Sequence, residues 1–173
     1  MDIKKLLLGG AAVVAAGFVV KKALTPEPPG LAQSQKIIDG LDSSLRPMAV
    51  ALLYAANNKG IPLVVTSGYR SIESQQKIWN QGRTTPGRIV THAEPGNSWH
   101  NYGLAFDVAV LKDDKATWPE NPKLWNRIGA IGKALGLSWG GDFPGSQKDL
   151  PHFGHHPRMR IVDAKSGKRP RVA

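Results

Sequence analysis

Apolar and polar positions along this chain change period several times, and each change predicts an element. Leu6 to Val20 carries no charge and is bracketed by Lys4-Lys5 and Lys21-Lys22. Met48, Leu52 and Ala55 recur at helical spacing, which predicts a helix from about Leu45 to Asn57. Ser43 or Ser44 would cap it, Pro47 falls in its first turn, and Gly60 ends it. The β-branched run Leu63-Val64-Val65-Thr66 then reads as a strand. A second helix runs from Ser71 to about Asn80, where Gly82 stops it. From Leu104 to Leu111 the period is two: Leu104, Phe106, Val108 and Val110 share one face, and Ala105, Asp107 and Ala109 the other. Leu124, Ile128, Ile131 and Leu135 form another helical stripe, closed by Gly136. Leu137–Trp139 and Pro151–His155 are short strand candidates. The expected class is α+β, a small antiparallel sheet flanked by helices.

Gly82 to Gly96 has no periodicity, and a loop of that length inside a compact domain usually carries function. Four segments are expected: an N-terminal element over 1–24, a stiff linker rich in proline over 25–31, a folded domain over 32–157, and a basic tail over 158–173.

Composition narrows the chemistry. At 173 residues the chain holds one domain with an ordinary core, and it has no cysteine, which excludes disulfides and thiolate metal sites. The net charge of +10 comes from 23 basic and 13 acidic residues. Six of the basic residues (Arg158, Arg160, Lys165, Lys168, Arg169 and Arg171) sit in the tail against Asp163 alone. The tail therefore reads as a solvated end with weak attraction to an anionic envelope. No aromatic residue interleaves with it, so no nucleic-acid partner is expected.

As a helix the uncharged N-terminal run would measure about 22 Å at ~1.5 Å per residue. That is short of a ~30 Å hydrocarbon core unless lysines snorkel. Glycine and alanine make up nearly half of it. The run suits a signal peptide or signal-anchor, and it resembles the signal-arrest-release segments of some phage endolysins. The expectation is export, with a tether to the inner membrane followed by release to the periplasm, or secretion to the cell wall.

The densest chemistry lies in Ser98-Trp99-His100-Asn101-Tyr102-Gly103-Leu104-Ala105-Phe106-Asp107 and Asp149-Leu150-Pro151-His152. Two imidazoles and a carboxylate are the inventory of a catalytic zinc site, with a second carboxylate left over as a base. His100 and Asp107 become neighbours only if Asn101-Tyr102-Gly103 turns the chain into the following strand, and His152 must arrive on an adjacent one. Arg70, after the strand at Leu63, is the cation available to stabilise an oxyanion. Taken singly, each of these spacings is commonplace. Manganese or cobalt could satisfy the same ligands. His92, His155 and His156 are expected to be structural or solvated.

Taken together, the motifs resemble a known family. Ser67-Gly68-Tyr69-Arg70-Ser71, Ser98-x-His100-x-x-Gly103-x-Ala105-x-Asp107, Trp139-Gly140-Gly141-Asp142 and Asp149-x-Pro151-His152-Phe153 occur in the order seen in VanY-type zinc peptidases of peptidoglycan. Gln81-Gly82-Arg83-Thr84 and Pro86-Gly87-x-Ile89-Val90-Thr91 are closer to the L-alanyl-D-glutamate endopeptidase branch, which includes phage endolysins. The resemblance covers residues 33 to 156. It implies a D-Ala-D-Ala metallopeptidase or hedgehog-like fold, with Zn2+ held by His100, Asp107 and His152. It also implies Asp149 as general base, Arg70 as substrate or oxyanion clamp, and Ser98 and Asp142 as groups that orient ligands. The activity implied is hydrolysis of the L-Ala–D-Glu bond of peptidoglycan stem peptides by a monomer, as in a phage lysis enzyme. Two alternatives stand beside it: a D,D-carboxypeptidase removing terminal D-Ala, and a zinc-bearing binding module of the hedgehog kind. Retention of both Asp149 and Arg70 argues against the latter.

Overall fold

The computed structural model describes residues 26–170, together with the backbone of 13–15 and 18–20. The expected N-terminal element thus falls largely outside the described residues. Where its backbone is described, it is not helical: β1 (Val13–Ala15) and β2 (Phe18–Val20) pair antiparallel. Valine and phenylalanine favour extended backbone. Among the described residues no helix is long and apolar enough to cross a membrane.

The domain is built on a five-stranded sheet in the order β3 (Leu63–Ser67), β4 (Ala105–Lys112), β7 (His152–Gly154), β6 (Ser138–Trp139), with β5 (Lys115–Thr117) also on β4. Every pairing is antiparallel. The alternation read in 104–111 holds. Phe106 and Val108 join the main core, while Ala109 and Leu111 pack with Val64 on the other face. α2 (Arg46–Asn57) and α4 (Pro122–Ala134) pack against them in that core.

Two expectations about helix starts divide. Ser71 caps α3 (Ile72–Asn80), accepting from the Ser74 amide at 3.1 Å. Neither Ser43 nor Ser44 caps α2 through its side chain. Instead the Asp42 carboxylate accepts both the amide and the hydroxyl of Ser44, at 3.0 and 2.6 Å, and shapes the turn ahead of the helix.

The linker is more integrated than its composition suggests. Pro28 and Gly30 are buried, and α1 (Leu31–Asp39) follows directly. This helix has no strong apolar stripe in the sequence, but Ser34 gives it a specific task. Its hydroxyl donates to the Gly30 carbonyl and accepts from the Val65 amide at 2.8 Å, covering the open edge of β3. The C-terminal tail is likewise not a wholly solvated end. It forms α5 (Ile161–Lys165), burying Ala164 and, beyond it, Pro170.

α4 approaches the sheet closely because of two glycines. A methyl group on Gly129 would run into the Trp139 ring, and one on Gly132 into the Phe153 ring. Phe153 follows His152 on β7, and Trp139 lies on the neighbouring β6.

Candidate metal centre and groove

Strand register creates half of the site. β4 pairs Asp107 with His152 on β7, and on its other edge with Ser67 of β3. A bulge between Val65 and Ser67 shifts the register there, a common device beside functional sites. The third residue comes from the 3-10 turn Trp99–Tyr102. Gly103 ends that turn at φ +69, where a side chain would be strained, and so directs the chain into β4.

Three donor atoms converge. His152 Nδ1 lies 3.2 Å from Asp107 Oδ1, His100 Nε2 lies 3.2 Å from His152 Nδ1, and His100 Nε2 lies 3.4 Å from Asp107 Oδ1. A tetrahedral zinc with ligands at about 2.0–2.1 Å requires donor separations of roughly 3.3–3.4 Å. The triangle matches one face of that tetrahedron, and its two nitrogens and one oxygen are the right donor set. This is the group of acidic and histidine side chains among the described residues that could hold a metal.

The orientation of His100 is set by a partner that the sequence does not advertise. Its Nδ1 donates to the Gly68 carbonyl at 2.8 Å, which leaves Nε2 with a lone pair aimed at the cluster. Gly68 lies in the Ser67-to-Ser71 motif, so that motif serves His100 as well as Arg70. Burial alone would raise the Asp107 carboxyl. When His100 and His152 are protonated, their hydrogen bonds and positive charge overcome it and hold the group well below the usual carboxylate range.

A groove of about 900 Å³ opens over this cluster, lined among others by Arg70, Trp79, His92, Glu94, Lys148 and Asp149. Asp149 is positioned by its backbone. Its amide donates to the Gly140 carbonyl, and its own carbonyl accepts from the His152 amide at 3.1 Å. The Trp139 indole pins that turn by donating to the Leu150 carbonyl at 2.8 Å. Burial against the groove wall pushes the Asp149 carboxyl above its ordinary value. The charge of His152 opposes this, that of Asp107 reinforces it, and His100 and Arg70 oppose it further. The residue is open to solvent at the rim, so water screens the shift.

Arg70 is braced rather than loose. Its guanidinium donates to Gln75 Oε1 at 3.0 Å and to Ser67 Oγ at 3.2 Å, and its amide donates to the His100 carbonyl. Gln75 is fully buried, and its own amide reaches the Ala93 carbonyl at 2.8 Å. It thereby ties α3, Arg70 and the long loop into one wall. A glutamine on a short polar helix carries no sequence signal for that role.

Other expectations are corrected. Asp142 does not orient a ligand: it points outward and pairs with Lys133 at 2.9 Å. Ser98 is buried on the groove wall, and the contact that orients His100 belongs to Gly68. His92, expected to be structural or solvated, is exposed and lines the groove. His156 is structural as expected, stacked on Trp99 with ring centroids 4.0 Å apart. Burial pushes its imidazole down to about 4. His155 contacts the Gly136 carbonyl and stays outside the cluster.

Residues 39–150 match the family model described as VanY, D-alanyl-D-alanine carboxypeptidase. Over 129 residues the chain is 42% identical to the peptidoglycan L-alanyl-D-glutamate endopeptidase CwlK of Bacillus subtilis (strain 168), covering 70% of this chain and 77% of that one. The chain belongs to the VanY family. It is a peptidase by that membership, and its sheet is the VanY fold. The crystal structure of the Serratia marcescens L-Ala D-Glu endopeptidase ChiX superposes with a TM-score of 0.53 at 23% identity, covering 73% of this chain and 89% of that one. A variant of the vancomycin-resistance D,D-pentapeptidase VanY, solved with Zn(II), superposes at 0.52 and 20% identity, covering 73% and 76%. At those identities the likeness concerns the fold. The match to the VanY family stops short of His152, which the β4–β7 register nevertheless places with Asp107.

Proposed function

We propose that this protein is a zinc-dependent endopeptidase that cleaves the L-Ala–D-Glu bond of peptidoglycan stem peptides. The carrying observation is the triangle of donors from His100, Asp107 and His152, with the Asp149 carboxylate beside it on the same groove. The identity with CwlK supports the choice of bond. Zinc, when bound, would supply the Lewis acidity that makes water nucleophilic at neutral pH.

The remaining work falls to the chain's own side chains. Asp149 takes the proton of the attacking water and returns it to the departing amine of D-Glu. Arg70, held by Gln75 and Ser67, presents a fixed positive charge to the developing oxyanion or to a substrate carboxylate.

The test is digestion of purified peptidoglycan by the full chain, with and without Zn2+, followed by mass spectrometry. New N-terminal glutamate on the released peptides supports the endopeptidase. Free D-Ala without it would establish the second reading, a D,D-carboxypeptidase, which the description of the matching family favours. Work on peptidoglycan requires export, for which the charge-bracketed run Leu6–Val20 is the proposed element. A tether to the inner membrane before release, as in a phage lysis enzyme, extends the same proposal.

A further inference from the structure

We propose that the C-terminal segment is a clasp, closed by Arg169, that holds the His100 turn ready for metal. This rests on the metal site proposed above. The segment lies beyond residues 39–150, the part matched to the family.

Arg169 Nε pairs with Asp42 Oδ2 at 3.3 Å, and the Asp42 side chain is mostly buried at 14% exposure. The Asp42 amide donates to the Gly103 carbonyl at 3.0 Å, and the Gly103 amide donates to the His100 carbonyl at 3.2 Å. One chain of contacts thus runs from the tail to the backbone of a metal ligand. A second starts at the same guanidinium, whose carbon lies 5.9 Å from the centre of the Tyr102 ring. Tyr102 donates its hydroxyl to the Gly96 carbonyl at 2.9 Å, and the Gly96 amide donates to Asn101 Oδ1. The Asn101 side chain returns to the Arg70 carbonyl at 2.9 Å. Arg169 therefore sits at the junction of two networks that flank His100.

The tail is built to keep that arginine in place. Its guanidinium also donates to the Ala164 and Lys168 carbonyls, at 3.3 and 2.8 Å. Lys168 pairs with Asp163 at 2.9 Å, and Asp163 accepts from the Arg160 amide. Buried Ala164 and Pro170 anchor the segment on either side. Arg169 does not reach the groove, so it is a positioning residue. It favours the turn geometry in which Nε2 faces Asp107 and His152. Losing it lets the turn sample others and lowers affinity for the metal.

The experiment compares the full chain with Arg169→Met and Arg169→Lys. Zinc affinity is read by competition with a chelator, and amide hydrogen exchange is read on the metal-free proteins. The expected result is a loss of affinity of about three- to fivefold in Arg169→Met, the range a half-exposed ion pair can supply. Arg169→Lys should recover much of it. Exchange at Asn101, Gly103 and Leu104 should rise in Arg169→Met. Exchange that rises only within 158–170, or zinc affinity unchanged within twofold, would overturn the clasp. Should the wild-type chain bind no zinc, the metal-site reading fails, and the exchange data still decide whether Arg169 holds the turn.

Discussion

Asp107 and His152 face each other across the β4–β7 pair, with Oδ1 of one 3.2 Å from Nδ1 of the other. This contact is a matter of register: a slip of β7 by one residue would turn His152 to the face opposite Asp107. The core residues Phe106 and Phe153, adjacent to them and stacked at 6.0 Å, lock that register.

Ligand and base should separate experimentally. His152→Ala is expected to lose both zinc and activity, with metal content read by atomic absorption. Asp149→Asn should keep the metal and lose about 10²–10⁴-fold in kcat. Equal zinc loss in both variants would contradict the assignment. Chelation should abolish activity in the wild type, and added Zn2+ should restore it.

The stack of His156 on Trp99 predicts a pH dependence of stability. Its folded pKa is depressed to about 4, so between that value and the ordinary one near 6.5 the unfolded chain binds more protons. Its contribution is therefore present above about pH 6.5 and is lost as pH falls towards 4. His156→Phe, which retains a ring against Trp99, should flatten denaturation midpoints across that window. An unchanged slope would show that the folded imidazole titrates normally.

Gly132→Ala should destabilise the domain by about 1–3 kcal/mol through overpacking against Phe153. The strain falls on the strand that carries His152, so zinc affinity should drop along with the thermal midpoint.

Trp139→Phe removes the indole donor to the Leu150 carbonyl and loosens the turn from Asp149 to His152. A lost hydrogen bond of about 1 kcal/mol predicts a fall in kcat of around five- to tenfold. KM should change less, and steady-state kinetics on a stem-peptide substrate separates the two.

Element types were largely legible in the chain because they depend on short-range periodicity. The strand at Leu63, the alternation in 104–111 and the stripe from Leu124 to Leu135 all signal themselves within a few residues. The terminal segments were less so. α1 buries Leu31 and Ile38 with a serine between them at a strand edge, and α5 rests on buried Ala164 and ion pairs, so neither shows a long apolar stripe.

The sequence by itself determined the chemical inventory: two imidazoles and two carboxylates in fixed order, an arginine upstream, and a glycine where the chain must turn. It could not decide which atoms meet. His100 takes its orientation from the Gly68 carbonyl, Arg70 from a buried glutamine, and the turn at Gly103 from an aspartate ahead of α2. Asp142, which looked like a partner of the site, faces Lys133 instead. These contacts join residues distant in the chain, several of them through backbone groups that every residue possesses. Residue identity marks where the chemistry can occur, and only strand register and packing bring three donors within 3.4 Å of one another.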